Sequence, residues 1–298
     1  MALGKDQIGG EHSEKGKIGV QMMMLKGKVE ELGVYETMKQ VRELGYRSVE
    51  VSQIPMTPEN VAELKRASED FDIEIAAMSA AVDPTIPGAP GETLTNDFDK
   101  IVNDCKTLNC NFLRIGMLPL NLMGDKDHIM AFIEKAEGFA ERLAEHEIEL
   151  YYHNHHIEFK KYDGEYLIDI MRDNTSKLGF ELDVHWIHRG GADPIEVIKN
   201  FAGRISLLHL KDYRIGSINM SALENNDMET FFNDFRNVIE FAEVGEGNLD
   251  MKALIEVGLE SGAKHFLVEQ DDTYGRDPFD CLKTSAENLR KLGYADWF

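Results

Sequence analysis

Four short segments hold most of the side chains in this sequence that could do chemistry. His153-Asn154-His155-His156 is followed by Glu158, and Glu181-Leu182-Asp183-Val184-His185-Trp186 leads to His188. His209-Leu210-Lys211-Asp212 and Glu269-Gln270-Asp271-Asp272 complete the set. Carboxylates and imidazoles here are set into apolar runs (FELDV, SLLHL, HFLVE) rather than into polar stretches. A carboxylate left alone in a buried run costs several kcal/mol, so it must be paired or bound to a cation. Mixed carboxylate and imidazole donors suit Mn²⁺, Mg²⁺, Co²⁺, Zn²⁺ or Fe²⁺. The expectation is one divalent ion, with Mn²⁺ placed first and the others left open.

The elements that would position these groups alternate regularly. Strands are predicted at Ile18–Met24, Ser48–Ser52, Ile73–Ala80, Phe112–Met117, Glu149–His155, Gly179–Trp186, Ile205–Lys211 and His265–Gln270. Amphipathic helices are predicted between them, at Tyr35–Leu44, from Thr57-Pro58, at Asp97–Leu108, Asp127–His146, Glu165–Arg172, from Asp193-Pro194, at Leu249–Glu260 and at Pro278–Leu292. Thr57 before Pro58 reads as a cap followed by a first-turn proline. A Pro/Gly loop spans Asp83–Thr93, and a longer excursion, Asp212–Asn248, carries an apolar-periodic stretch at Met228–Phe241. Strands alternating with helices imply a parallel sheet. Eight such units imply an α/β fold closed as a single-domain (β/α)₈ barrel. An open doubly wound sheet would usually place a Gly-rich phosphate turn after its first strand, where this chain has LKGKVEELG. In such a barrel, chemistry sits where strands end and the following loops begin, and strands five to eight carry the four segments above.

Composition narrows the partners. The chain has 298 residues and a formal net charge of −22, which opposes binding to a nucleic-acid backbone. Lacking a run of ~18 apolar residues, it is not expected to span a membrane. Three cysteines without a CxxC pair point to a reducing, cytoplasmic compartment. Residues 1–16 are polar and Gly-rich and read as a flexible tail before a barrel at residues 17–298.

The sequence also resembles the sugar phosphate isomerase/epimerase family of the xylose isomerase-like barrel superfamily. The likeness runs from about Lys17 to the end. It rests on IGVQ at Ile18–Gln21, YHNH at Tyr152–His155 with Glu158-Phe159, ELDVHW, RISLLHLKD, VGEGNLD at Val244–Asp250 and VEQD at Val268–Asp271. The resemblance implies a metal held by Asp183, His209 and Glu269, with Glu158 as the preferred fourth ligand and His153 as the alternative.

It also implies a reaction on a keto-sugar or cyclitol, in which the cation polarises a carbonyl and stabilises the enediolate formed when a neighbouring C–H loses its proton. His155 is the first candidate base; His153, His185 and His188 are further candidates, and Glu158 or Glu269 could double as ligand and base. Lys211 would orient a hydroxyl or stabilise an oxyanion, or else pair with Asp183 or Asp212. Trp186 would give a flat wall for a sugar face, the Met22–Met24 run a pocket wall, and Gln21 and Glu246 contacts to substrate. Arg276 and Arg189 are the candidate anchors for a phosphate. No Gly-rich phosphate loop follows strand seven, so a free sugar or glycoside is expected over a sugar phosphate. A lyase is the alternative, either a keto-inositol dehydratase or the catalytic subunit of a C-glycoside deglycosidase acting on 3-keto-glycosides with a small second subunit. A homo-oligomer is expected, with the excursion at Asp212–Asn248 as interface or lid.

Overall fold

The computed structural model describes residues 15–86, 88, 91–218 and 220–298. The expected tail therefore lies outside the described residues except for Lys15 and Gly16. These two are packed: Lys15 pairs with Asp296, and a Cβ on Gly16 would fall 2.5 Å from the Phe266 ring.

Eight parallel strands close into a barrel: β1 (Lys17–Gln21), β2 (Ser48–Val51), β3 (Glu74–Ser79), β4 (Phe112–Ile115), β5 (Glu149–His153), β6 (Gly179–Asp183), β7 (Ile205–Leu210) and β8 (His265–Val268). Each pairs with its sequence neighbours, and β8 closes on β1 with Val20 opposite Val268. Helices lie between the strands and pack apolar residues onto the outside of the barrel. Their starts follow the expected chemistry, with the Thr57 side chain accepting from Asn60 N–H ahead of Pro58–Phe71, and Asp193 and Asp277 capping the helices that open with Pro194 and Pro278.

Alternate residues along each strand face the barrel axis. Tyr151, Leu207 and Leu267 form an apolar layer with Ala76 and Ala77. Two residues further along the same strands stand His153, His209 and Glu269. The site is thus the next layer of the barrel interior, and all three side chains are buried.

Several predicted boundaries shift. β1 ends at Gln21, and Met22–Leu25 forms a short 3₁₀ turn that feeds a helix at Lys26–Leu32 not expected from the sequence. The stretch Met228–Phe241 divides between a helix (Met228–Arg236) and the strand Ile239–Ala242, which pairs antiparallel with Asp212–Ile215. Its apolar spacing served two elements in succession. No helix among the described residues is long and apolar enough to cross a membrane. The three cysteines are buried and unpaired with one another.

Candidate metal centre and its cavity

His153, Asp183, His209 and Glu269 each offer one ligand atom, and the four atoms lie within 4.8 Å of one another. The positions follow from the strand ends. Asp183 and His209 are register partners on adjacent strands, and His153 is opposite Glu181 one strand further round. Asp183 is the last residue of β6 and caps the helix Val184–Arg189, its Oδ1 accepting from Trp186 N–H at 3.0 Å. That leaves Oδ2 turned to the barrel axis without a hydrogen-bond partner. The buried Asn154 accepts from Asp183 N–H at 3.0 Å and so ties the end of β5 to β6. Gln21 donates to Glu269 Oε1 at 2.9 Å from the end of β1.

Burial works against charge on every member of this group, but neighbours decide the outcome. Lys211 and His209 hold the Glu269 carboxyl well below its usual range, and Lys211 with His209 lowers Asp183. Burial is likewise overcome at His209, which Glu181, Glu50 and Glu269 raise well above an ordinary imidazole. His153 goes the other way, lowered by burial and by His209. Its Nδ1 has no hydrogen-bond partner.

These residues fit a divalent cation. They combine two imidazoles with two carboxylates, and two of the buried donor atoms, His153 Nδ1 and Asp183 Oδ2, make no hydrogen bond. The charge around them also asks for a cation. Burial and the Glu50 charge push the Glu181 carboxyl up to about 8, so it stays protonated at neutral pH. Glu50, Asp183, Glu269 and Asp271 then face only Arg114 and Lys211 as permanent cations. Even with the raised His209 counted as a third cation, these carboxylates stay one negative charge in excess, so the group is short of positive charge.

Glu158, preferred from the sequence as the fourth ligand, stands outside this group. Its Oε1 accepts from Tyr152 OH at 2.6 Å and its Oε2 from His155 N–H at 2.8 Å. The Tyr152 hydroxyl in turn accepts from Leu118 N–H at 3.1 Å. Glu158 therefore braces the loops after β4 and β5, and it is His153 that stands with Asp183, His209 and Glu269. The reason is parity: His153 lies on β5 facing the axis, whereas Glu158 comes after the chain has turned into the 3₁₀ segment Ile157–Phe159.

A cavity of about 1110 Å³ opens onto the group and is lined by Gln21, Arg114, His153, His155, Lys211, Glu269 and Asp271, among others. His155 is lowered to about 4 by burial and then by Lys211, so it is neutral at physiological pH, and its Nδ1 has no partner. Lys211 lies 3.2 Å from Asp183 Oδ2 and 2.9 Å from both Glu269 and Asp271. These carboxylates outweigh its burial and keep it charged. Asp271 itself is raised to about 6, by burial first.

Other expected residues are placed elsewhere. His185 points into a nest of Trp186, Tyr213 and Phe241, away from the cavity, because helix geometry begins at Val184 and rotates it off the strand face. His188 accepts or donates at 3.1 Å with the Tyr213 hydroxyl. Trp186 stacks near His155 and His156, with the Lys211 ammonium 4.9 Å from its ring, and backs the site without lining the cavity. Arg276 is paired with the buried Glu243, and Glu246 is exposed and accepts from Asn288 at 2.8 Å. Arg189 lies over Trp186. Of the methionine run only Met23 lines the cavity, while Met22 is core.

The HLKD and GEG motifs meet through Asp212. Its buried carboxylate accepts from the N–H groups of Tyr213, Gly245, Gly247 and Leu249 at 2.8–3.2 Å. A Cβ on Gly247 would fall 2.2 Å from Asp212 Oδ1, so glycine is required there.

Sequence reasoning missed Glu50, Arg114 and the role of Glu181. Arg114 Nε lies 2.6 Å from Glu50 Oε1 and 3.3 Å from Glu181 Oε2, and the guanidinium donates to Ser52 Oγ at 2.9 Å. All three side chains are buried. Burial pushes the Glu50 carboxyl up, but Arg114 and His209 outweigh it and hold it at about 2.

The fold and the site can be compared with known proteins. A sugar phosphate isomerase/epimerase from Parabacteroides distasonis ATCC 8503 superposes with a TM-score of 0.72 at 20% identity, covering 94% of this chain and 99% of its own. The 3-keto-D-glucoside 4-epimerase of E. coli gives 0.64 at 14% identity, covering 93% and 100%. A protein from Bacillus anthracis described as a probable 3-DHS dehydratase gives 0.65 at 16%, covering 92% and 98%. At these identities the likeness is one of fold. No curated protein matches the chain. Residues 38–292, most of the sequence, match the family described as the xylose isomerase-like TIM barrel. With a closed eight-stranded barrel and buried metal-capable donors at its strand ends, the chain belongs to the xylose isomerase-like TIM barrel family.

Proposed function

We propose that this protein is a divalent-metal-dependent isomerase or epimerase of a keto-sugar or cyclitol, acting by proton abstraction next to a carbonyl. The observation that carries the proposal is the buried His153, Asp183, His209 and Glu269 set on the wall of a cavity, with the neutral, unpartnered His155 imidazole beside it. A divalent ion held there, with Mn²⁺ as first choice, would supply a Lewis acid for a substrate carbonyl.

The chain's own residues supply the rest. His155, neutral and facing the cavity, takes the proton from the carbon next to the carbonyl. The Lys211 ammonium orients a substrate oxygen and stabilises negative charge as it develops. Asp271, raised to about 6 and lining the same cavity, is the second group that exchanges a proton. Gln21 fixes Glu269, and Asn154 fixes Asp183.

Elimination is the second reading, and His155 favours it: among the described residues it is the one imidazole on the cavity wall that the metal-capable set does not use. A single base suffices to remove a proton and expel a β-substituent. The Bacillus anthracis protein described as a probable 3-DHS dehydratase shares this fold and is consistent with that chemistry on the barrel.

The test is turnover of free ketoses, keto-inositol and 3-keto-glycosides in deuterated buffer, for wild type and His155→Asn, with metal content measured in parallel. Deuterium appearing next to the carbonyl in an isomeric product supports the epimerase, and loss of a β-substituent moves the assignment to a lyase. Metal-loaded protein that incorporates no deuterium into any of them would overturn both.

A further inference from the structure

Below the four metal-capable donors lies a second buried charged group that the proposed reaction does not use: Glu50 of β2, Arg114 of β4 and Glu181 of β6. His209 joins the two layers. Its Nδ1 faces Glu269 Oε2 at 2.9 Å and Asp183 Oδ2 at 3.8 Å, while its Nε2 faces Glu50 Oε2 and Glu181 Oε1, both at 3.2 Å. The ring is hydrogen-bonded at both ends, Nδ1 to Glu269 and Nε2 to Glu50, whereas the Glu181 oxygens have no hydrogen-bond partner.

Two carboxylates and an imidazole could themselves be read as a second cation site. The guanidinium of Arg114 already occupies that role, 2.6 Å from one carboxylate and 3.3 Å from the other. The lower layer is an internally neutralised clamp whose free acceptor is aimed at one atom of one imidazole.

We propose that Glu50, clamped by Arg114, is a positioning residue for the metal centre: it holds the Nε2–H of His209 and thereby presents Nδ1, free of its proton, toward Asp183 and Glu269. The inference rests on the reading of the four donors as a metal centre. An imidazole can carry its proton on either nitrogen, and the partner of the non-ligating nitrogen selects the tautomer. With an anionic acceptor below and two ligand carboxylates above, one tautomer and one ring orientation serve both layers. The carboxylate also makes the opposite nitrogen a stronger donor, which matters in a set where two of the four donors are imidazoles.

Mn²⁺ binding to the full-length protein tests this, followed by electron paramagnetic resonance of free Mn²⁺ for wild type, Glu50→Leu, Glu50→Gln and Tyr151→Phe. Loss of such an outer partner typically weakens metal binding ~10–100-fold. Glu50→Leu is expected to lose affinity by that factor, and Glu50→Gln, whose carbonyl can still accept from Nε2–H, to recover most of it. Tyr151→Phe removes hydrogen bonds to Glu149 and Ser206 in the layer below and should leave the affinity unchanged. Should Glu50→Leu fail to fold with Arg114 unpaired, Glu50→Leu/Arg114→Met removes both charges and is expected to show the same weak binding. A folded Glu50→Leu or double variant that binds Mn²⁺ as tightly as wild type overturns the proposal. Wild type that binds neither Mn²⁺ nor Zn²⁺, Co²⁺, Fe²⁺ or Mg²⁺ overturns instead the metal-centre reading beneath it.

Discussion

Replacing Arg114 with methionine should expose how much of this fold's stability is spent on holding buried charge. The residue is 4% exposed, and its guanidinium lies 2.6 Å from Glu50 and 3.3 Å from Glu181. Methionine fills much of the volume of the stem, so the chief change is a lost charge and not a cavity. Removing one partner of a buried pair typically costs about 3–5 kcal/mol, because the other charge is left uncompensated. At ~2–4 °C per kcal/mol for a chain of this size, the melting temperature should fall by about 6–20 °C. Unfolding is best followed in EDTA, so that bound metal adds nothing. The decisive comparison is Arg114→Met/Glu50→Gln. If the cost comes from a stranded carboxylate, neutralising Glu50 must return part of it, and the double variant should be more stable than the sum of the single effects by roughly 1–3 kcal/mol. A change below about 1 kcal/mol in Arg114→Met, or strict additivity in the cycle, would refute the charge argument and leave Arg114 as a packing residue.

Metal itself should stabilise the wild type. At a hundred times the dissociation constant, the linkage is worth ~2.7 kcal/mol, or about 5–11 °C in melting temperature, and Asp183→Asn should abolish the shift if Asp183 Oδ2 is a ligand atom; an undiminished shift in that variant would remove Asp183 from the set. Glu158 predicts a pH dependence. Burial raises its carboxyl from 4.5 to about 7, so the stability it contributes is fully present below about pH 4.5 and is lost as the pH rises through 7. Relative to Glu158→Gln, wild type should therefore lose on the order of 3 kcal/mol across that window, and parallel stability curves in urea at pH 4.5, 6 and 8 would contradict it. Gly247→Ala should destabilise by more than about 2 kcal/mol although the position is only half-buried, since the new Cβ would meet the Asp212 carboxylate and the Tyr213 carbonyl; a neutral thermal melt would show that the loop simply shifts aside.

Much of this was legible because the barrel imposes period 2 on its strands. Leu207, His209 and Lys211 alternate inward, as do Leu267, Glu269 and Asp271, so a polar residue two places beyond an inward apolar one can be assigned to the next layer. The same rule applied to Tyr151 and His153 would have favoured His153 over Glu158. The motif resemblance pulled toward the downstream carboxylate instead, which lies beyond the strand, where alternation no longer holds. His185 was misplaced for the converse reason. The apolar run predicts a strand through Trp186, but Asp183 caps a helix, and the two periods put His185 on different faces.

Glu50 and Arg114 were the residues with the clearest unused signal. VEV and FLRI each set a charge inside an apolar strand, the same pattern that drew attention to FELDV and HFLVE. Both sit within their strands and not at the ends, where ligands reach substrate. Buried charge in the middle of a strand has no substrate to meet, so its partner must be internal. Glu50 finds that partner in Arg114 across the barrel, and the pair in turn finds His209. Sequence spacing cannot show such a link, because Glu50 and His209 are 159 positions apart and only closure of the barrel brings them to 3.2 Å. What the sequence does contain is an imbalance, with more carboxylates than cations inside apolar strands. That imbalance is met in one layer by an internal arginine, and in the next it leaves a cluster of donors that could hold an external cation.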